Sequence, residues 1–265
     1  MIKDFLKVID NVLIKLFSTH YMAFSRDQFS HDRFIFGKTV IKKYFGNSNF
    51  IEIADIGCGS CNFFEYLRNS KLKFNYTGYD FDTKKLEKKS KFKNADNLKI
   101  VEIDLKKIEI KNIKYDIVWC SEVIEHILDH ENFFKNLFDI CKPGGIIILT
   151  APNLNNIKKY SNFKIMRKIS KIEDGGHVRL GYNIEDIKNL YKKYNLEMKN
   201  FYFLSRCNLL RIIGRYYYRN EFFFLIFNSL CALKILYYKK FLKYGMDDEM
   251  NYNQYHTIAV ILEKN

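Results

Sequence analysis

The stretch FIEIADIGCGSCNF, residues 50–63, decides the fold. It opens as an apolar run of strand character and then breaks into Gly57 and Gly59 with Cys58 between them, directly after the acid Asp55. The chain has 12 glycines in 265 residues, so two placed one residue apart mark a point where the backbone must turn sharply. A strand, a glycine turn and then a helix (CNFFEYLRNS) form the opening of a βαβ unit. In parallel sheets, ligands bind beyond the carboxyl ends of the strands, where bare glycine backbone can approach them closely.

Outward from this stretch the same rhythm repeats. KFNYTGYDFD, NLKIVEIDL, YDIVWCS and IIILTAP read as strands two to five. TKKLEKKSKF and EVIEHILDHENFFKNLFDIC read as helices, and KPGG as a turn. Right-handed crossovers then make the sheet doubly wound. After Pro152 the rhythm loosens: residues 153–182 read as a loop or lid. A helix follows from the cap residue Asn183, and LEMKNFYFL and YHTIAVILEK read as two further strands. The expected architecture is a seven-stranded Rossmann-like α/β sheet with its last strand antiparallel. Four segments are expected: N-terminal helices over 1–48, a core over 49–205, a basic aromatic helical insertion over 206–250 and the last core strand over 251–265.

Composition bounds the rest. The chain is 48% hydrophobic and 17% aromatic, enough for a sizeable core and outside the disordered class. Its formal charge of +14 favours anionic partners: phosphorylated small molecules, nucleic acid or an acidic membrane surface. Six cysteines scattered through apolar runs read as reduced thiols of a cytoplasmic protein, not a disulfide framework. The amphipathic start MIKDFLKVIDNVLIKLF lacks a signal-peptide cleavage site, and no stretch reaches the roughly 20 apolar residues of a membrane span.

The acids at the strand ends sharpen the glycine loop. Asp80 closes strand two, 21 residues after Gly59, where a carboxylate can accept both hydroxyls of a ribose. Asp104 closes strand three, and Asp116 opens strand four. With ADIGCGSCNF, YTGYD, VEIDL, YDIVWCSEVIEHI, KPGGIIILTAPN and HVRLGYNIEDIKNL in this order, residues 48–205 and the last strand resemble class I S-adenosylmethionine-dependent methyltransferases. The family loop usually reads GxGxG; Cys61 stands here at the third glycine. The resemblance implies S-adenosyl-L-methionine as cofactor. By it, Asp55, Gly57 and Gly59 would hold the methionine end and Asp80 the ribose. Phe81, Asp104 and Leu105 would lie about the adenine, and Ser121 beside the sulfonium.

A second constellation follows strand four. On the helix read here Glu122, Glu125 and His126, at i, i+3 and i+4, share one face. Two carboxylates and an imidazole suit a divalent cation such as magnesium or manganese, and His177 from DGGHVRLGY could complete the set. The segment resembles the E-x-x-E-H text of ubiquinone-pathway O-methyltransferases and small-RNA 2′-O-methyltransferases. In those families, the resemblance implies, a metal orients neighbouring hydroxyls and lowers their pKa. Without a metal, His126 or His177 would be the general base. His130 is expected to face solvent. Arg179 and Tyr182, close to His177, are candidates for gripping an anionic acceptor.

The insertion carries eight Lys/Arg and one acid over residues 206–244, with YYY and FFFLIF. Pocket wall, anionic-lipid dock, RNA surface and dimer contact compete for it. The expectation that results is an O-methyltransferase of a small, anionic, polar acceptor such as a phosphorylated or nucleotide-linked sugar or a surface-glycan precursor. An RNA 2′-O-methyltransferase and a membrane-facing quinone-precursor enzyme are the rivals, and a cofactor-binding scaffold is the non-enzyme alternative.

Overall fold

A computed structural model describes residues 28–68, 70–82, 95–105, 113–160, 169–172, 176–206, 241–243 and 255–265. Eight strands form one sheet: β1 Ile51–Ile56, β2 Phe74–Asp80, β3 Leu98–Glu102, β4 Tyr115–Ser121, β5 Cys141–Pro152, β6 Leu196–Arg206, β7 Phe241–Lys243 and β8 Tyr255–Lys264. Their order across the sheet is β3-β2-β1-β4-β5-β8-β6-β7. The first five run parallel, and β8 lies antiparallel between β5 and β6. The seven-stranded core expected from the sequence is present, with β7 as a short addition at one edge.

The central strands are apolar on both faces, as strands covered on both sides must be. Ile51, Ile53, Ala54 and Ile56 of β1 and Ile146–Leu149 of β5 are all shut off from water. One core cluster covers each face of the sheet. Helix α1, Gln28–Phe45, crosses one face at Gly37, where any Cβ would fall 2.5 Å from Trp119 Cζ3. Trp119 in turn stacks on Phe63 of α2, Asn62–Arg68, with ring centroids 4.2 Å apart. The opposite face carries α3, His130–Ile140, through Phe133, Phe134, Leu137 and Ile140. Helix α5, Ile184–Tyr191, starts at Asn183 with a full capping box: Asn183 and Asp186 each accept the other's backbone N–H at 2.9 Å.

Several expectations change. The helix read over residues 122–141 is broken: Glu122 has φ +57, Ile124–His126 is one 3₁₀ turn, and α3 begins only at His130. Asp129 explains the late start, because its side chain accepts the Asn132 N–H at 3.1 Å and caps the new helix. The stretch read as a loop after Pro152 contains helix α4, Leu154–Tyr160, and two bridges, Asn153 to Tyr182 and Ile169 to His177, that tie it together. Within the insertion read as helical, Phe241–Lys243 is a strand paired with β6. The remainder of that insertion, the helix read over residues 83–92 and residues 1–27 lie outside the described residues. No helix among the described residues is long and apolar enough to cross a membrane.

At the amino edge of the sheet Asp116, the acid that opens β4, accepts the Glu52 N–H at 2.8 Å and pairs with Lys142 at 2.9 Å. That acid holds strands together far from the glycine loop. The carboxyl edge is left for chemistry.

Candidate functional site

The first βα turn is built as the glycines require. Gly57, at φ +75, donates its N–H to Tyr79 O at 2.8 Å, and a Cβ on it would fall 2.3 Å from Val123 Cγ2. Gly59, at φ +52, has nothing within 4 Å of where its Cβ would stand. One glycine is thus needed for packing, while the other leaves open space over the loop.

Two acids converge on this loop. Asp80 is 7% exposed; its Oδ2 accepts the Gly59 N–H at 2.7 Å and its Oδ1 accepts the Asp82 N–H at 3.1 Å. Asp55 is 3% exposed and accepts the hydroxyl of Tyr76. Burial raises the Asp55 pKa to about 7; the Tyr76 hydroxyl pulls it down and the charge of Asp80 pushes it up. Phe81, beside Asp80, is 64% exposed, an unusual state for a phenyl ring. Asp104 is exposed and Leu105 buried at the end of β3. Ser121 shares a hydrogen bond with Thr150 across β4 and β5 at 2.9 Å.

The second cluster sits where β4 ends. Glu125, His126 and His177 each bring one ligand atom within 4.8 Å of the others. Glu125 is fully buried. His126 Nδ1 lies 2.9 Å from the Gly176 carbonyl, so in the neutral ring Nδ1 carries the proton and Nε2 keeps its lone pair. That Nε2 is 3.9 Å from Glu125 Oε1, and the two imidazole centroids are 4.5 Å apart. Carboxylate and imidazole donors with a carbonyl fixing one ring fit a divalent cation.

Glu122 stands outside this trio. Its left-handed backbone turns the side chain to Arg33 of α1, 3.8 Å away. The broken helix is the reason: i, i+3, i+4 spacing places three side chains on one face only where the helix is continuous. Arg33 was not legible as a site residue, because nothing in the local sequence around it points to a partner 89 positions away.

Arg179 and Tyr182, the candidates for gripping an acceptor, both bond within the protein. Tyr182 is 1% exposed; its hydroxyl donates to Ile124 O at 3.2 Å and accepts from Arg179 Nη1. Arg179 Nη2 donates to Leu128 O at 2.9 Å. His130, expected in solvent, meets the Tyr182 hydroxyl through Nδ1 at 2.9 Å, and burial followed by the Arg179 charge lowers its pKa. Val178 and Arg179 also donate their N–H groups to Glu125 O at 3.0 and 3.3 Å. These bonds clasp loop 176–182 onto turn 124–128, which brings His177 to Glu125 and His126.

A parallel sheet with one reversed strand between β5 and β6, a glycine loop after β1 and an acid closing β2 form the architecture shared with methyltransferase domains. Residues 54–149 match the family model described as a methyltransferase domain. Over 127 residues the chain is 32% identical to the ubiquinone biosynthesis O-methyltransferase of Rickettsia typhi, covering 48% of this chain and 50% of that protein. The chain spans about half the length of the curated relatives it matches. Among solved structures, the small RNA methyltransferase HEN1 superposes with TM-score 0.56 at 18% identity, over 89% of this chain and 25% of that one. The phosphoethanolamine N-methyltransferase 2 of Haemonchus contortus, solved with S-adenosyl-L-methionine, gives TM-score 0.52 at 20% identity, over 86% and 52%. At these identities the two structures are relatives in fold.

Proposed function

We propose that the chain is an S-adenosylmethionine-dependent O-methyltransferase whose acceptor carries neighbouring hydroxyls and binds at a divalent cation held by Glu125, His126 and His177. The observation that carries this reading is the convergence of those three donors, from segments about 50 residues apart, on the turn that follows Val123, the residue packed against Gly57. S-adenosylmethionine supplies an electrophilic methyl group, and the cation supplies a lowered hydroxyl pKa. The remaining tasks fall to the chain. Asp55, Gly57 and Gly59 hold the methionine end of the cofactor, Asp80 its ribose, Phe81, Asp104 and Leu105 its adenine, and Ser121 borders the sulfonium. His126 Nε2, with its lone pair kept free by the Gly176 carbonyl, is the group that takes a proton when no ion is bound.

A quinone precursor with adjacent ring hydroxyls is the acceptor class favoured here. The relatives named as ubiquinone biosynthesis O-methyltransferases support it. A phosphorylated or nucleotide-linked sugar loses its main support, since the Arg179 guanidinium is committed to Leu128 and Tyr182. A second reading, methylation of an RNA 3′-terminal ribose, is favoured by the same donor trio, because a terminal ribose also presents two adjacent hydroxyls. The charge of +14 suits that polyanion as well.

The test is release of S-adenosylhomocysteine from a catechol acid, a catechol with an isoprenoid tail, an RNA 3′ end and a nucleotide sugar. Turnover is expected with a catechol. A chelator should reduce it by about two orders of magnitude, the scale lost when one strong electrostatic contribution is removed, and manganese or magnesium should restore it. Glu125→Ala and His177→Ala should weaken manganese binding read by electron paramagnetic resonance. Full turnover in chelator would end the metal assignment, and no turnover with any acceptor would end the enzyme assignment.

Asp55 adds a pH dependence. Between about pH 4 and 7 the folded chain keeps a proton that the unfolded chain has released. This carboxyl therefore favours the fold at acid pH and loses that contribution as the pH rises through 7. The ammonium of the cofactor's methionine favours the ionised form, so binding releases the proton. Affinity for S-adenosylhomocysteine should be about tenfold weaker at pH 6 than at pH 8, since one pH unit below a pKa leaves one-tenth ionised. A flat profile in calorimetry would remove Asp55 from the methionine site.

A further inference from the structure

We propose that Cys58 and Cys61 form a reversible disulfide that weakens cofactor binding, an inference that rests on the glycine loop being the cofactor seat. The two cysteines stand in Cys-Gly-Ser-Cys on that loop. Cys61 N–H donates to Cys58 O at 2.8 Å, which closes a four-residue turn. Such a turn brings the end Cα atoms within about 7 Å, close to the upper end of the span a disulfide can bridge. The side chains point to a common place. A Cβ built on Gly78 of β2 would stand 2.8 Å from Cys58 Sγ and 3.1 Å from Cys61 Sγ. Gly78 thus leaves the room that both sulfurs fill.

Backbone strain points the same way. Cys61 has φ +49, a left-handed conformation that glycine adopts freely and a cysteine adopts only with strain. The strain places a second sulfur against Cys58. Between the two lies Gly59, whose N–H is held by Asp80 Oδ2 at 2.7 Å. A covalent link across this turn reshapes the segment that presents Gly59 and Asp80 together. Both cysteines are free, and the neighbouring Cys61 and burial raise the Cys58 pKa, so Cys58 rests as a thiol. The remaining described cysteines, Cys120 and Cys141, lie in the core cluster on the α3 face.

The oxidant is a low-molecular-weight disulfide such as oxidised glutathione. Cys58, at 8% exposure the more accessible of the pair, loses its proton and attacks one glutathione sulfur, which breaks that S–S bond and expels one glutathione thiolate. Cys61 then loses its proton and attacks Cys58 Sγ, expelling the second. Two electrons pass from the cysteines to glutathione, and the two protons are taken up by the released thiolates.

The full chain is equilibrated in glutathione buffers of graded potential, alkylated and digested with trypsin. The peptide Tyr44–Arg68 contains Cys58 and Cys61 and no other cysteine. At the oxidising end it should be unalkylated and two hydrogens lighter. Affinity for S-adenosylhomocysteine in calorimetry should then be weaker by about tenfold, the loss expected from one charge-assisted hydrogen bond, and dithiothreitol should restore it. Cys61→Gly suits the left-handed position, so it folds, and its affinity should be the same in both buffers. A peptide alkylated twice at every potential, or a bridge that leaves affinity unchanged, would overturn the proposal. Absence of binding in dithiothreitol would instead overturn the methyltransferase reading, and with it the effect on affinity; the peptide mass is read independently of either.

Discussion

Asp80→Ala loses at least about 100-fold in affinity for S-adenosylhomocysteine, the equivalent of two charge-assisted hydrogen bonds. The carboxylate is nearly buried and already holds the N–H groups of Gly59 and Asp82, one on each oxygen. Each oxygen keeps a further lone pair, which can accept a ribose hydroxyl. On the proposed assignment alanine removes the ribose contact, and it also frees Gly59 N–H from its partner. Asp80→Asn retains one acceptor oxygen and should fall between the two. Calorimetry decides: an Asp80→Ala protein that binds within threefold of the parent would place the ribose elsewhere.

Gly57→Val lowers stability by about 3 kcal/mol, combining the left-handed backbone penalty with overpacking. In a chain of this size that moves the melting temperature by about 10 °C. The collision is with Val123 Cγ2, 2.3 Å from the ideal Cβ, and a β-branched side chain has little freedom to give way. Gly59→Ala is the informative contrast. It carries the backbone penalty but meets nothing within 4 Å, so it should lose less stability while still weakening cofactor affinity. Thermal denaturation and calorimetry on both variants separate the two roles; equal melting temperatures would show that Val123 yields.

The parallel core was readable because its signals are local. Ile51, Ile53, Ala54 and Ile56 put apolar side chains on both faces of one short strand, as a strand covered on both faces does, and Gly57 and Gly59 mark its end. Asn183 announced its helix through a cap that works over three residues. The broken helix after β4 was hidden because its apolar spacing remains helical through Ile140, while the break depends on the φ of Glu122 and on Asp129 as a cap. The trio of Glu125, His126 and His177 was legible in residue type. Its assembly depends on the clasp formed by Val178, Arg179 and Tyr182, a set of contacts across some 50 residues that no local pattern encodes. The bonds of Arg179 to Leu128 and Tyr182 were not legible, because they arise from packing and not from local pattern.

The placement of β8 between β5 and β6 orders events during synthesis. Strands β5 and β6 emerge from the ribosome as neighbours in sequence, yet they have no ladder between them until residues 255–264 arrive to join both. Until then the edge of β5, with Ile146, Ile147, Ile148 and Leu149, offers unpaired backbone and apolar side chains to any other nascent chain. A chain that ends before residue 255 therefore leaves β6 attached through α1 and the edge of β5 uncovered, an outcome that quality-control proteases and chaperones are suited to meet.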